Sequence, residues 1–131
     1  MTHIRGIRGA TTSHANTKES ILGATRELLG ELISTNHIRS DDVAAASFTT
    51  TEDLNAEFPA QAARQIGWNY VALLDGHEMK VPDATAKCIR VLILMNTDKG
   101  PDELNHVYLR GASNLRARGV GGADILGNTC D

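Results

Sequence analysis

The stretch Cys88-Ile89-Arg90-Val91-Leu92-Ile93-Leu94-Met95-Asn96-Thr97-Asp98 constrains the fold more than any other part of the chain. It is a short apolar run rich in branched side chains. Its length and the flanking Pro82 and Pro101 fit a buried strand rather than a helix. Alternation at period two sets Ile89, Val91, Ile93 and Met95 on one face, and Arg90, Leu92, Leu94 and Asn96 on the other. Arg90 is the anomaly. A guanidinium keeps its charge in any protein, and burying it without an anion is very costly. Two readings of it are open from this stretch alone. It is a structural ion pair or a strand-end arginine reaching solvent, or it binds an anion in a cleft.

With 131 residues and neither an internal repeat nor a linker, the chain reads as one domain over residues 1–118. The Gly-rich segment 119–131 reads as a flexible tail. Aromatic residues make up only 4%, so the core must be aliphatic. A net charge of −3 and a pI near 5.9 argue against nucleic acid or an anionic membrane as the main partner. Nine of the thirteen basic residues are nonetheless arginine, the better side chain for gripping a planar carboxylate with two bonds. Cys88 and Cys130 show no metal-ligand or redox spacing and read as the thiols of a reduced protein with one core cysteine. No apolar leader and no run of membrane-spanning length is present, which predicts a cytoplasmic protein.

Taken in order, His3–Thr12 reads as a strand of imperfect period, Gly6 and Gly9 allowing a bulge or a close backbone approach. Arg5 and Arg8 bracket Ile7, and a solvated edge charge suits Arg5 better than Arg8. Asn16–Asn36 is the clearest helix, with Asn16 as cap and Glu19 at capping-box spacing. Ile21, Leu22, Leu28, Leu29, Leu32 and Ile33 form its apolar face. Val43–Thr51 reads as a strand, and Phe58-Pro59 opens a short helix that Gly67 ends. Arg64 lies off that helix's apolar stripe. Trp68–Leu74 reads as a strand, and the Asp75-Gly76-His77-Glu78 that follows matches no metal motif. Glu78 offers Arg90 a partner. His106–Arg110 reads as the last strand, with Tyr108 a packing residue by default.

Together these fragments resemble the monofunctional AroH-class chorismate mutases. The resemblance rests on Arg5-Gly6-Ile7-Arg8-Gly9-Ala10-Thr11-Thr12, Phe58-Pro59-Ala60 with Arg64, Gly67-Trp68 with Tyr70-Val71, Glu78-Met79, Cys88-Ile89-Arg90-Val91, Asn96-Thr97-Asp98 and His106-Val107-Tyr108-Leu109-Arg110. Their order and spacing run from about Ile4 to Arg116. The resemblance implies an α+β fold, a mixed β-sheet with helices on one face, assembled as a homotrimeric pseudo-α/β-barrel with active sites between subunits. It implies the Claisen rearrangement of chorismate to prephenate, on the way to phenylalanine and tyrosine, with no cofactor and no metal. Carried over, Arg90 contacts the ether oxygen and a carboxylate, Arg8 and Tyr108 hold a carboxylate, and Glu78 accepts from the ring hydroxyl. Phe58, Arg64, Leu74 and Asp75 line the cleft from the adjacent subunit, and Leu115 and Arg116 close it.

A unimolecular pericyclic reaction asks for a folded dianion and a fixed cation where charge develops, which arginines supply. Two positions depart from the pattern. Gln61 stands where family members often carry lysine, and Asp75 where they carry cysteine or another small residue. Both changes weaken the positive rim, so weaker substrate capture, or an Asp75 that is protonated or turned away, is expected. The rival readings are a non-catalytic module binding a carboxylated metabolite, and a reactive-intermediate deaminase-like enzyme on a similar trimer.

Overall fold

The apolar run takes the middle of a sheet and organises everything around it. The computed structural model describes residues 2–113. Five strands, β1 (His3–Thr12), β2 (Val43–Thr50), β3 (Ala72–His77), β4 (Cys88–Thr97) and β5 (Val107–Tyr108), lie in the order β3-β2-β4-β1-β5. The central β4 is antiparallel to both neighbours, whereas the edge strands run parallel, β3 to β2 and β5 to β1. The sheet is therefore mixed, as expected.

The alternation read from sequence is the one observed. Ile89, Val91, Ile93 and Met95 are buried, while Arg90 and Leu94 are half-buried and Leu92 is exposed. Two helices, α1 (Lys18–Asn36) and α2 (Ala60–Gln65), supply the buried face with Leu28, Leu29, Leu32, Ala60 and Ala63, which meet Ile7, Phe48, Val91 and Ile93. Each fully buried Leu or Ile contributes roughly 1.5–3 kcal/mol relative to exposure, so this face carries the stability. Neither α1 nor α2 covers the other face, which Arg8, Ser47, Thr49, Arg90 and Leu92 line and where Leu74 is 68% exposed; only its Ala10 and Cys88 end is covered, by Ala112. One strand thus serves two purposes. The odd positions hold the domain together and the even positions are left for something else.

Several boundaries differ from expectation for identifiable reasons. Thr17, not Asn16, caps α1, its Oγ1 accepting the Ser20 N–H. Asn16 is used elsewhere, its Oδ1 accepting from the Asn55 and Ala56 N–H groups and pinning that loop. The third strand begins at Ala72 rather than Trp68, and it takes in Asp75 and His77. Gly67, at φ +102°, turns the chain so that the Trp68 N–H closes on the Ala63 carbonyl and the indole enters the core. The last strand is only Val107–Tyr108, because Arg110 adopts φ +51° and starts a single helical turn. Cys88 is buried to 1% exposure and packs with Ala10 and Ala112, as a core cysteine should. Cys130 lies outside the described residues, as does the segment 119–131.

β1 carries no bulge. Its register with β4 is continuous from His3–Thr97 to Thr12–Cys88. What Gly9 provides is the close approach. A Cβ there would stand 2.8 Å from Leu32 Cδ1, 3.1 Å from Leu28 Cδ1 and 3.3 Å from the Val107 carbonyl oxygen. The leucine ends can shift, but the carbonyl is fixed by the β1–β5 pairing. Gly9→Ala is expected to destabilise the protein by about 1–3 kcal/mol. The urea midpoint should fall with an unchanged slope, and a midpoint equal to wild type would show that α1 rides loosely on the sheet.

Candidate active site

Arg8 from β1, Ser47 and Thr49 from β2, Arg90 and Leu92 from β4 and Tyr108 from β5 line one cavity of about 280 Å³ on the uncovered face. The register explains the gathering. Thr49 lies opposite Arg90 and Ser47 opposite Leu92, Arg8 pairs with Leu92 from the other side, and Ala10 beside Arg8 pairs with Tyr108. Four strands thus bring two guanidinium groups and a phenol to one wall.

Glu78, just past the end of β3, is the anion that Arg90 requires. Arg90 Nε donates to Glu78 Oε2 at 2.5 Å, Arg90 Nη2 forms an ion pair with the same oxygen, and the Thr49 hydroxyl donates to it as well. The Glu78 main chain is fixed in turn, its N–H donating to the Thr50 carbonyl at 2.8 Å. The Arg90 and Glu78 side chains are 29% and 15% exposed; Arg90 lines this cavity, whereas Glu78 lines a separate one of about 400 Å³ with Met79 and Lys80. Arg90 is thus ion-paired with Glu78 and at the same time lines a cleft. Arg8 and Arg90 bring two guanidinium groups to this wall, side chains suited to gripping carboxylates. At the rim, the Arg8 main-chain N–H donates to His106 Nδ1 at 2.9 Å and ties β1 to the segment that leads into Tyr108.

The remaining expected residues stand apart from this cavity within one chain. Phe58 and Asp75 line a second cavity of about 360 Å³ with Glu57, Pro59 and His77. Arg64 is exposed on α2, its Nη1 donating to Gln61 Oε1 at 3.3 Å. Leu74 and Asp75, being consecutive in β3, point to opposite faces. Leu115 and Arg116 lie outside the described residues. Reasoning from sequence missed Thr49 and Ser47. Their signal was available, because alternation about Phe48 sends both to the face shared with Arg90.

Asp75 has a definite task. Its Oδ1 accepts the Ala60 N–H at 2.9 Å, so the carboxylate is turned toward the first turn of α2. Burial pushes the carboxyl up from its usual range, the Ala60 hydrogen bond and the Arg64 charge pull it down, and Glu57 pushes it up further. The net shift is upward. The folded state therefore holds the Asp75 proton more tightly than the unfolded chain, and stability declines as pH rises through the carboxylate range. Asp75→Asn keeps an acceptor for Ala60 and removes the charge. It should be more stable than wild type at pH 7 and lose that advantage as pH is lowered through the carboxylate range, by thermal melting. A deficit at pH 7 would show that the charge itself is needed.

Among the described residues no helix is long and apolar enough to cross a membrane, and no group of three or more His, Cys, Asp or Glu side chains is arranged to hold a metal ion.

The family profile of chorismate mutase type I matches residues 4–118. The AroH chorismate mutase of Thermus thermophilus is 52% identical over 114 residues, 86% of this chain and 93% of that protein. The AroH chorismate mutase of Bacillus subtilis is 45% identical over 114 residues, 86% of this chain and 90% of its own length. A solved chorismate mutase from Clostridium thermocellum superimposes with a TM-score of 0.82 at 46% identity, covering 83% of this chain and 97% of that one. The profile match over residues 4–118, the two relatives at 52% and 45% identity and the superposition on the Clostridium thermocellum enzyme make the conclusion plain: this chain belongs to the type I chorismate mutase family.

Proposed function

We propose that the protein is a chorismate mutase, an isomerase that rearranges chorismate to prephenate in aromatic amino-acid biosynthesis, and that Arg90, Glu78 and Arg8 do the catalytic work. The observation that carries this reading is the paired Arg90 facing a cavity that also holds Arg8 and Tyr108. Chorismate is a flexible dianion whose reacting carbons meet only in a folded conformer. Arg8 and Tyr108 on its carboxylates restrict it to that conformer. As the C–O bond breaks and the C–C bond forms, the ether oxygen gains negative charge and the ring gains positive character. Arg90, held in place by Glu78, meets the oxygen, and this attraction is stronger in the transition state than in the ground state. Glu78 accepts from the ring hydroxyl and favours the positive fragment. No proton has to move and no covalent intermediate is needed.

The site is completed by a second subunit in a homotrimer. Leu74, Leu92 and Ile4 are 68%, 41% and 61% exposed, and Phe58 is 66% exposed, which suits surfaces awaiting a neighbour. The neighbour supplies Phe58, Arg64, Leu74 and Asp75, with Leu115 and Arg116 closing the cleft over a single cytoplasmic domain ending near residue 118.

Purified protein mixed with chorismate should consume the substrate's absorbance and form prephenate. Sedimentation should give three times the chain mass. Binding without turnover would leave a metabolite-binding module, and turnover by a monomer would remove the shared site.

A further inference from the structure

β5 is two residues long and pairs with β1 only through Gly9–Val107 and Ala10–Tyr108. So short a ladder is a weak hold on a residue that must meet a substrate. The segment leading into it is held by α1. Asn36, the last residue of that helix, has a side chain buried to 1% exposure. Its Nδ2 donates to the Leu32 carbonyl at 3.0 Å and to the Asn105 carbonyl at 2.9 Å, and its Oδ1 accepts the Asn105 N–H at 2.8 Å. Both main-chain groups of Asn105 are thereby gripped by one amide, an arrangement that fixes orientation as well as position. An amide offers two donors and an acceptor, and here all three are used. Immediately downstream, His106 takes the Arg8 N–H, Tyr108 enters the cavity, and the Leu109 N–H returns to the Ala10 carbonyl at 2.9 Å. The helix needs no buried amide to pack against the sheet, and an apolar side chain would do that.

We infer that Asn36 is a positioning residue of the active site: by clamping Asn105 it sets where Tyr108 stands beside Arg8. The inference rests on the reading of Tyr108 as a carboxylate-binding residue.

The test uses Asn36→Ser in the full chain. Its hydroxyl can still bond the Leu32 carbonyl four residues back, but it is too short to reach Asn105. KM for chorismate is expected to rise about tenfold, the weight of one hydrogen bond, with kcat changed far less. In a Tyr108→Phe background the same substitution should raise KM less than about twofold, because the group being positioned is gone. Asn36→Gln keeps an amide that can both donate to and accept from the Asn105 main chain and should recover part of the loss, and it carries the test if the serine variant does not fold. Leu29→Ala weakens the same helix without touching the clamp and should leave KM at the wild-type value. A wild-type KM in Asn36→Ser, an equal rise in the Tyr108→Phe background, or an equal rise in Leu29→Ala each overturns the inference. If Tyr108→Phe itself leaves KM unchanged, the reading of Tyr108 falls and takes this inference with it.

Discussion

Arg90→Gln is expected to lower kcat/KM for chorismate by about 10³-fold, with the larger part of the loss in kcat. Removing one preorganised donor from a site of developing charge typically costs on the order of 10²–10³ in rate, and this substitution removes a full charge together with the donor. The position is favourable for such an effect. Arg90 sits in a central strand flanked by two antiparallel neighbours, its guanidinium is held by Glu78, and it is only 29% exposed. The cation is therefore fixed before substrate arrives and needs little reorganisation during the reaction. Arg64, exposed on α2, has no such restraint, and Arg64→Gln should cost markedly less. The comparison separates two ideas of what the arginines do. If attraction of a dianion to a positive surface were all that mattered, the two variants would behave alike and the loss would fall on KM. Steady-state kinetics on both, with circular dichroism to confirm folding, decide the matter. An Arg90→Gln enzyme within tenfold of wild type would remove Arg90 from the mechanism.

The central strand was legible because its message is redundant: length, branching, flanking prolines and period all point one way. The guanidinium within it was legible for the opposite reason, as a violation that a sequence rarely carries without use. The edges of the fold were harder. Trp68 looks like the start of a strand by composition, but the positive φ of Gly67 diverts it into the core, and a single sequence does not announce which glycine will adopt that conformation. Asn16 has the chemistry of a helix cap and was displaced by Thr17, since both carry a suitable oxygen. The loop at Asn55 and Ala56 claimed Asn16, a contact nearly forty residues away in the chain.

The site divided along the same line. Residues whose placement follows from strand register, Arg8, Arg90 and Tyr108, meet in one cavity. Phe58 and Asp75, expected from the neighbouring subunit, line a different cavity of the same chain. Asp75 has a task within its own chain that the sequence does not announce: its carboxylate accepts the Ala60 N–H at the start of α2, and only the three-dimensional neighbourhood reveals it.

Glu78→Gln should reduce kcat by about 10²-fold while KM moves by less than about tenfold, and Glu78→Ala should fall further, to about 10³-fold. The difference between the two follows from what Glu78 touches. Its Oε2 receives Arg90 through two nitrogens and the Thr49 hydroxyl. Glutamine can still accept from both partners, but without charge its bond to the guanidinium loses roughly half its strength, so Arg90 is aimed less firmly. Alanine leaves the guanidinium and the hydroxyl without that partner. A carboxylate in a site for a dianion also repels the ground state, so deleting its charge should not weaken substrate binding. What disappears is its attraction for the ring as positive character grows there, an interaction realised only on the way to the transition state. The loss therefore belongs in kcat. Parallel kcat and KM measurements on the two variants test this. If Glu78→Gln turned over at the wild-type rate, the carboxylate would be a structural counter-ion for Arg90 and nothing more, and a loss confined to KM would show that it works in binding rather than in the rearrangement.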